Sequence, residues 1–410
     1  MLLTNNRKKH TCLLFTQNFP FGNSEIFIER ELPYLCNHFS RVLIFPMDAL
    51  PGPVRSLPEN SEYHFLFSRP FSKSEKLKVL LTECLTFSAL FLSEFFHHPS
   101  LTLKNLRARF SESLTFIARA KTFKSFCVMN NISSKSVFYS YWFDRWATVL
   151  AVLKIGNRSI ARAHAFDLYE EDNREGIIVN RKFQLKYLDH IYPVSQQGSA
   201  YLKKKYPQFE SKISHAYLGT IMHSLINPFN EQMSKKTIIS SGLVQERKRM
   251  HLIPEVLSYL PEEYLWVHFG GGPELKDLEK TVKKFGVEKR VLLSGHIEND
   301  QFHRYLKENP VLMFLSLSRN EGLPYSMMEA ISYGIPLMST NVGGCSEICN
   351  EHTGVLIEKD FLPKEVAERI LAFSTSPMNT PEFRKGVRKF WEEHFNAEKN
   401  YKKFYLEISK

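Results

Sequence analysis

A chain of 410 residues is too long for one ordinary hydrophobic core and suggests two domains of about 150 to 200 residues each. An apolar share of 43% with 24% charged residues excludes a disordered or low-complexity chain, and no internal repeat is evident. The net charge of +11 lies in one half: residues 1–215 hold 29 Lys and Arg against 18 Asp and Glu, a surplus of 11, whereas residues 216–410 hold 25 of each. The two halves should therefore meet different partners. Six cysteines (Cys12, Cys36, Cys84, Cys127, Cys345, Cys349) match no redox or zinc spacing, so reduced, structural thiols in an intracellular protein are expected.

Arg7, Lys8 and Lys9 precede "TCLLFT", which is too short for the core of a signal peptide and reads as a first buried strand. A helix from about 24 to 37 and the strand "RVLIFP" complete a βαβ unit. Two long helical segments follow, roughly 73–97 and 102–129. The apolar run 78–96 is interrupted by Glu83 and Glu94 and falls short of a membrane span, so it reads as a peripheral or core helix. Alternation continues through "SVFYS", "SIARAHAF", "HIYPVS" and "KISHAYLG", each strand but the last preceding a helix. A second series opens near residue 236 with "KTIISSG", "YLWVHFGGG", "RVLLSGH", "VLMFLSLS", "IPLMST" and "GVLIE". The spacing predicts an α/β protein of two Rossmann-like parallel sheets, 1–218 and 219–380, with a ligand cleft between their carboxyl ends and helices over 381–410 bracing both.

The stretch 318–347, "SRNEGLPYSMMEAISYGIPLMSTNVGGCSE", concentrates the chemistry. Pro324 stands where a first helical residue is expected, and Gly334 and Pro336 stop that helix. Gly322, Leu323 and their neighbours then offer backbone N–H groups at a helix start, whose positive end suits a phosphate. Glu321 and Glu329 would repel that phosphate and instead suit vicinal hydroxyls, one on a ribose and one on a sugar ring. Gly343 and Gly344 form a second turn before another helix start near Ser346. Phosphate on amides with diols on acids describes a nucleotide sugar.

This segment resembles the E-x7-E signature of the retaining GT-B glycosyltransferases of family 4, with "EGLP", "EAISYGIP" and "TNVGGCSE" in order. "FTQNFPFGNSEIFIERELPYL", "RAHAFDLY", "SGLVQERKR", "WVHFGGGPE" and "LLSGHI" are also similar to that family, and together they span nearly the whole chain. The resemblance implies a GT-B fold, with the two domains facing each other across the cleft. It implies that Glu321 lies by the donor sugar's hydroxyls and Glu329 binds the nucleoside ribose. It places His164 near the transferred sugar, with Arg162 and Asp167 beside it. In the loop "FPFGNSE", Gly22 and Asn23 would lie by the donor phosphates or the acceptor, and Ser24 with Glu25 would open the next helix. Where the family has an arginine, this chain has Gly242, so Arg247 or Lys248 is left to meet the diphosphate, with nothing to choose between them. "GGGPE" (270–274) lacks the ending of a phosphate loop and reads as a strand-to-helix turn. His296 would lie near the base.

The implied reaction moves a hexose-type residue from a nucleoside diphosphate sugar to a hydroxyl of a glycan or lipid-linked glycan, with retention by a front-face path and closure of the domains excluding water. No Asp-x-Asp pair occurs, and no metal or other cofactor is expected. From 99 to 125, Lys104, Arg107, Arg109, Arg119, Lys121 and Lys124 face only Glu112 and alternate with Phe110, Phe116 and Phe123. This segment suits an anionic membrane surface, and hence a cytoplasmic protein peripheral to the inner face of the membrane, in surface polysaccharide or lipopolysaccharide assembly, with no nucleic-acid partner. The alternative from another class is an inactive GT-B scaffold that binds membranes or polyanions. A nucleotide-sugar epimerase, active without acceptor, is a third reading.

Overall fold

The computed structural model describes residues 10–22, 25–48, 53–173, 175–223, 225–230 and 232–410, apart from the side chains of 100–102. Asn23 and Ser24 lie outside the described residues. Contacts divide the chain into two compact units, Met1–Ala216 with Tyr401–Lys410, and Tyr217–Asn400.

The first unit begins with β1 (Thr11–Thr16), α1 (Ile26–His38), β2 (Arg41–Pro46) and β3 (Ser61–Tyr63). Four helices follow, α2 (Lys73–Thr82), α3 (Cys84–His97), α4 (Pro99–Lys104) and α5 (Leu106–Met129). The segment read as one helix over 73–97 is broken at Glu83, with a bend of 98°. β4 (Val137–Ser140), α6 (Arg145–Leu153), β5 (Arg158–Ala163), α7 (Arg181–Tyr187), β6 (His190–Pro193) and α8 (Gln196–Lys205) complete the alternation. "KISHAYLG" does not extend the sheet: Ile213 makes one isolated bridge to Ile191. The strands pair in parallel in the order β3-β2-β1-β4-β5-β6. β1, β2 and β4 are unbroken apolar runs because helices cover both faces of such a sheet. Phe15 on β1 meets Phe123 of α5 at 5.2 Å and Trp146 of α6 at 4.7 Å, so one ring joins the sheet to two helices.

Arg162, expected beside His164, belongs instead to this core. Its side chain is fully buried and pairs with Glu31 of α1 at 2.8 Å, its guanidinium 4.2 Å from the ring of Phe404. Glu31 also accepts from the hydroxyls of Tyr139 at 3.2 Å and Tyr405 at 2.8 Å. Three donors thus satisfy the buried Glu31 carboxylate, whereas Nε and Nη2 of Arg162 have no hydrogen-bond partner among the described residues.

The second unit contains β7 (Lys236–Ser241), α9 (Ile253–Ser258), β8 (Tyr264–Phe269), α10 (Leu275–Lys284), β9 (Val291–Leu293), α11 (Asn299–Glu308) and β10 (Met313–Ser316). It continues with α12 (Tyr325–Ser332), β11 (Leu337–Thr340), α13 (Cys345–Ile348), β12 (Gly354–Ile357), α14 (Pro363–Ser374) and α15 (Pro381–His394). α16 (Ala397–Ile408) starts here and enters the first unit at Tyr401. Strand order is β12-β11-β10-β7-β8-β9, again all parallel. Numbered within each unit, both sheets run 3-2-1-4-5-6 and reverse between their first and fourth strands.

Candidate active site

Open parallel sheets bind ligands outside the carboxyl ends of the strands where the order reverses, here between β7 and β10 in the second unit. The turns leaving these two strands are tied together by Arg249. Its Nε donates to the carbonyl of Leu317 at 2.6 Å, and its two other nitrogens to the carbonyls of Ser318 at 3.2 Å and Lys359 at 3.0 Å. The Arg319 amide also donates to the carbonyl of Arg247 at 2.7 Å. With Arg249 committed to the scaffold, the other two cations of "ERKR" are held over the β10 turn.

Both reach Glu321. Lys248 Nζ lies 2.5 Å from Oε1, and Arg247 Nη1 lies 3.3 Å from Oε2 and 3.3 Å from the carbonyl of Asn320. Ser318 Oγ adds a hydrogen bond to Oε1 at 2.7 Å. The lysine side chain is 11% exposed and the arginine 48%, so Lys248 is the enclosed partner. Burial works to raise the Glu321 pKa, but Lys248, then Arg247, outweigh it and hold the carboxyl below its ordinary value. The site thus contains an ionised acid with two side-chain cations, each of which another anion can recruit.

The glycine turn predicted behind this helix closes on the same place. Gly343 has φ +50°, and a Cβ there would run into the carbonyl oxygen of Glu321; Gly344 N donates to the carbonyl of Gly322 at 2.9 Å. Pro324 precedes α12 rather than entering it, and no side chain caps that helix. Gly322, Leu323, Pro324, Gly343 and Gly344 are therefore brought together with Glu321, Arg247 and Lys248. Gly242 has φ +136°, and a Cβ on it would lie 3.7 Å from Lys248 Cε. "GGGPE" is a packing turn, because Cβ atoms on Gly270 and Gly272 would meet the backbone of Gly242 and Val244.

Glu329 is buried on α12 and serves a different group. Oε1 lies 3.5 Å from Nε2 of His303, whose Nδ1 is 3.1 Å from the Tyr333 hydroxyl, and His223 stacks on Tyr333 with centroids 4.5 Å apart. Burial first, then His303, pushes His223 down to about 3. His303, His223 and Tyr333 were not picked out from the sequence, since lone histidines in helices and turns have no spacing signature. His268, another residue passed over, is buried on β8 with Nδ1 2.9 Å from Ser240 Oγ.

In the first unit the equivalent reversal lies between β1 and β4, and His164 follows β5, the next strand beyond β4. Its ring stacks on Tyr141 at 5.2 Å and lies 4.4 Å from Trp142, and neither ring nitrogen has a hydrogen-bond partner among the described residues. Nδ1 is 4.0 Å from Asp167. Asp167 mainly holds backbone, accepting from Phe143 N at 2.7 Å and His164 N at 2.5 Å. Gly22, with φ +64°, accepts from Arg55 Nε at 2.9 Å. Glu25 does not cap α1. Its carboxylate folds back and accepts from the amides of Gln17 at 3.1 Å, Asn18 at 2.6 Å and Phe19 at 2.5 Å, and from the Trp142 indole.

Residues 224–390 match the family model of glycosyl transferases group 1. Among individual proteins, the chain is 33% identical over 129 residues to the O-antigen biosynthesis glycosyltransferase WbnH of Escherichia coli, a match covering 32% of this chain and 35% of that protein. The chain thus spans about a third of the length of this relative. Two solved structures are similar over nearly the whole chain. The lipopolysaccharide outer core galactosyltransferase WaaB gives a TM-score of 0.65 at 13% identity, covering 98% of this chain and 100% of that one. HepE of Anabaena, solved with UDP and glucose, gives 0.68 at 13% identity with the same coverage. The fold is GT-B, as the alternating strand pattern and the motifs led one to expect.

Proposed function

We propose that the protein is a retaining, metal-independent glycosyltransferase that moves a hexose-type sugar from a nucleoside diphosphate to a hydroxyl of a glycan or lipid-linked glycan in surface polysaccharide or lipopolysaccharide assembly. The convergence of Lys248 and Arg247 on buried Glu321 at the sheet reversal, beside the uncapped start of α12, carries this reading. The match of residues 224–390 to glycosyl transferases, the name of WbnH, and the UDP and glucose bound to HepE support it.

Lys248 and Arg247 leave Glu321 for the donor diphosphate, where their charge offsets that building on the leaving group. The amides of Gly322, Leu323 and Gly343 complete the phosphate cradle, which takes the place of a metal, while the Gly344 amide stays on the carbonyl of Gly322. Glu321, relieved of its cations, accepts from the sugar hydroxyls, and Glu329 accepts from the ribose diol with His303 orienting it. His164 takes the part beside the transferred sugar that the family resemblance implies. Transfer then follows a front-face path in which the departing phosphate receives the proton of the incoming hydroxyl. The acceptor is drawn from an anionic membrane surface by the basic N-terminal half.

The test is calorimetric binding of UDP, GDP and ADP in chelator, repeated with Glu329→Ala. One diphosphate should bind selectively and be weakened by the substitution. No binding to any of the three by folded protein would remove the transferase reading.

A further inference from the structure

Helix α3, "CLTFSALFLSEFFH", is apolar on two faces. The inner one is occupied: Phe87, Leu90 and Glu94 are buried, and Phe87 meets Phe110 of α5 at 4.8 Å. The outer one is uncovered. Leu85 is 84% exposed, Leu92 44% and Phe96 74%, and Leu81 at the end of α2 is 74% exposed. Positions 85, 92 and 96 recur at seven and four residues, which is one side of a helix. Single exposed leucines are normal on protein surfaces, but a stripe of them marks a contact.

Charge decides the occupant. Residues 73–129 carry nine Lys and Arg against four Glu. Three of those glutamates are already paired, Glu75 with Arg69 at 2.8 Å, Glu83 with Lys121 at 3.1 Å and Glu112 with Arg109 at 3.2 Å, and the fourth, Glu94, is buried and accepts from Asn180 N at 2.7 Å. Those pairs also occupy Lys121 and Arg109, so the positive surplus of the segment rests on the other cations, among them the exposed Lys73, Lys78 and Lys124. A second copy of this chain would bring the same charge and be repelled, whereas an anionic lipid layer complements both the lysines and the leucines. Among the described residues no single helix is long and apolar enough to cross a membrane, and the 14 residues of α3 follow a 98° bend. At about 1.5 Å per residue, α3 is too short to span and long enough to lie along an interface.

We infer that the elbow of α2 and α3 lies in the headgroup layer of an anionic membrane, with Leu81, Leu85, Leu92 and Phe96 inserted and the neighbouring lysines at the level of the phosphates. This deepens the membrane part of the reading above, moving the apolar contact from the basic helix α5 to the elbow beside it. Its test does not depend on sugar transfer. The full-length protein and a Leu85→Ser, Phe96→Ser double variant are floated with phosphatidylcholine vesicles, with and without phosphatidylglycerol. The parent should bind the anionic vesicles, and each serine should lower partition roughly tenfold. Lys78→Glu, one turn before Leu81 on α2, should weaken binding at low salt and do little at high salt. Unchanged vesicle binding by the double variant would overturn the inference. So would light scattering that shows the parent as a dimer and the double variant as a monomer. Nucleoside diphosphate affinity, measured on the same samples, should be unchanged, which separates failure of this inference from failure of the transferase reading.

Discussion

At the reversal point of each sheet a buried glutamate organises the neighbouring turns, but Glu25 and Glu321 do so with different partners. Glu25 accepts from three consecutive backbone amides and an indole, none of which can turn away without unfolding the β1 loop. Glu321 is met by the ends of Lys248 and Arg247, long side chains that can change partner by rotation alone. The same place in the same strand order therefore supports a fastening in one unit and an exchangeable charge cluster in the other. Topology shows where to look, and the identity of the partners separates a structural acid from a functional one.

Breaking the exchangeable cluster should give the largest effect. Glu321→Ala is expected to lower transfer about a thousandfold or more, by analogy with loss of a charge-stabilising group, yet leave diphosphate affinity equal or higher because two cations are released. Steady-state kinetics with calorimetry checks this; parallel loss of both would end the division of labour between Glu321 and the cations. Lys248→Ala should weaken diphosphate binding by roughly 2 kcal/mol, and the more exposed Arg247→Ala by less than about 1 kcal/mol, by the usual contrast between enclosed and solvated ion pairs. Equal losses would mean that exposure in the ligand-free molecule does not rank the two.

Glu25→Ala sharpens the comparison from the other side. It strands three amides and should cost about 3 kcal/mol of stability in denaturant titration, while the diphosphate affinity of the remaining folded protein stays at the parent value. The last prediction concerns pH. His223 is lowered to about 3, chiefly by burial and then by His303, and His268 to about 4, again chiefly by burial. A folded-state pKa below the unfolded one means that the unfolded chain takes up the proton first as pH falls. Stability should thus decline from near pH 6.5 downward, by at most roughly 1.4 kcal/mol per pH unit for each histidine. His223→Phe, which keeps the stack on Tyr333, should flatten that decline in thermal melts between pH 6 and pH 4.

Much of this was legible in the chain. Alternating apolar runs announced both sheets, because a parallel strand buried on both faces must be continuously hydrophobic. The glycines and prolines around Glu321 marked the turns, because Gly343 has a conformation and a clearance that a side chain would spoil. Side-chain direction was not legible. "ERKR" offers three adjacent cations, and only the left-handed residue Arg249, with φ +50°, decides that the third enters the scaffold while the first two reach Glu321. Arg162 and Asp167 sit beside His164 in sequence, yet one belongs to the α1 core and the other holds backbone.

The sequence by itself determined the two-sheet architecture, the positions of the polar turns and the surplus of positive charge in the first half, since these follow from local periodicity and composition. Only the tertiary structure decided which acids are fastened and which remain exchangeable, that His303 stands by Glu329, and that α3 keeps an apolar face uncovered. Periodicity shows that a residue is apolar or charged, whereas its partner is set by packing between segments far apart in the chain.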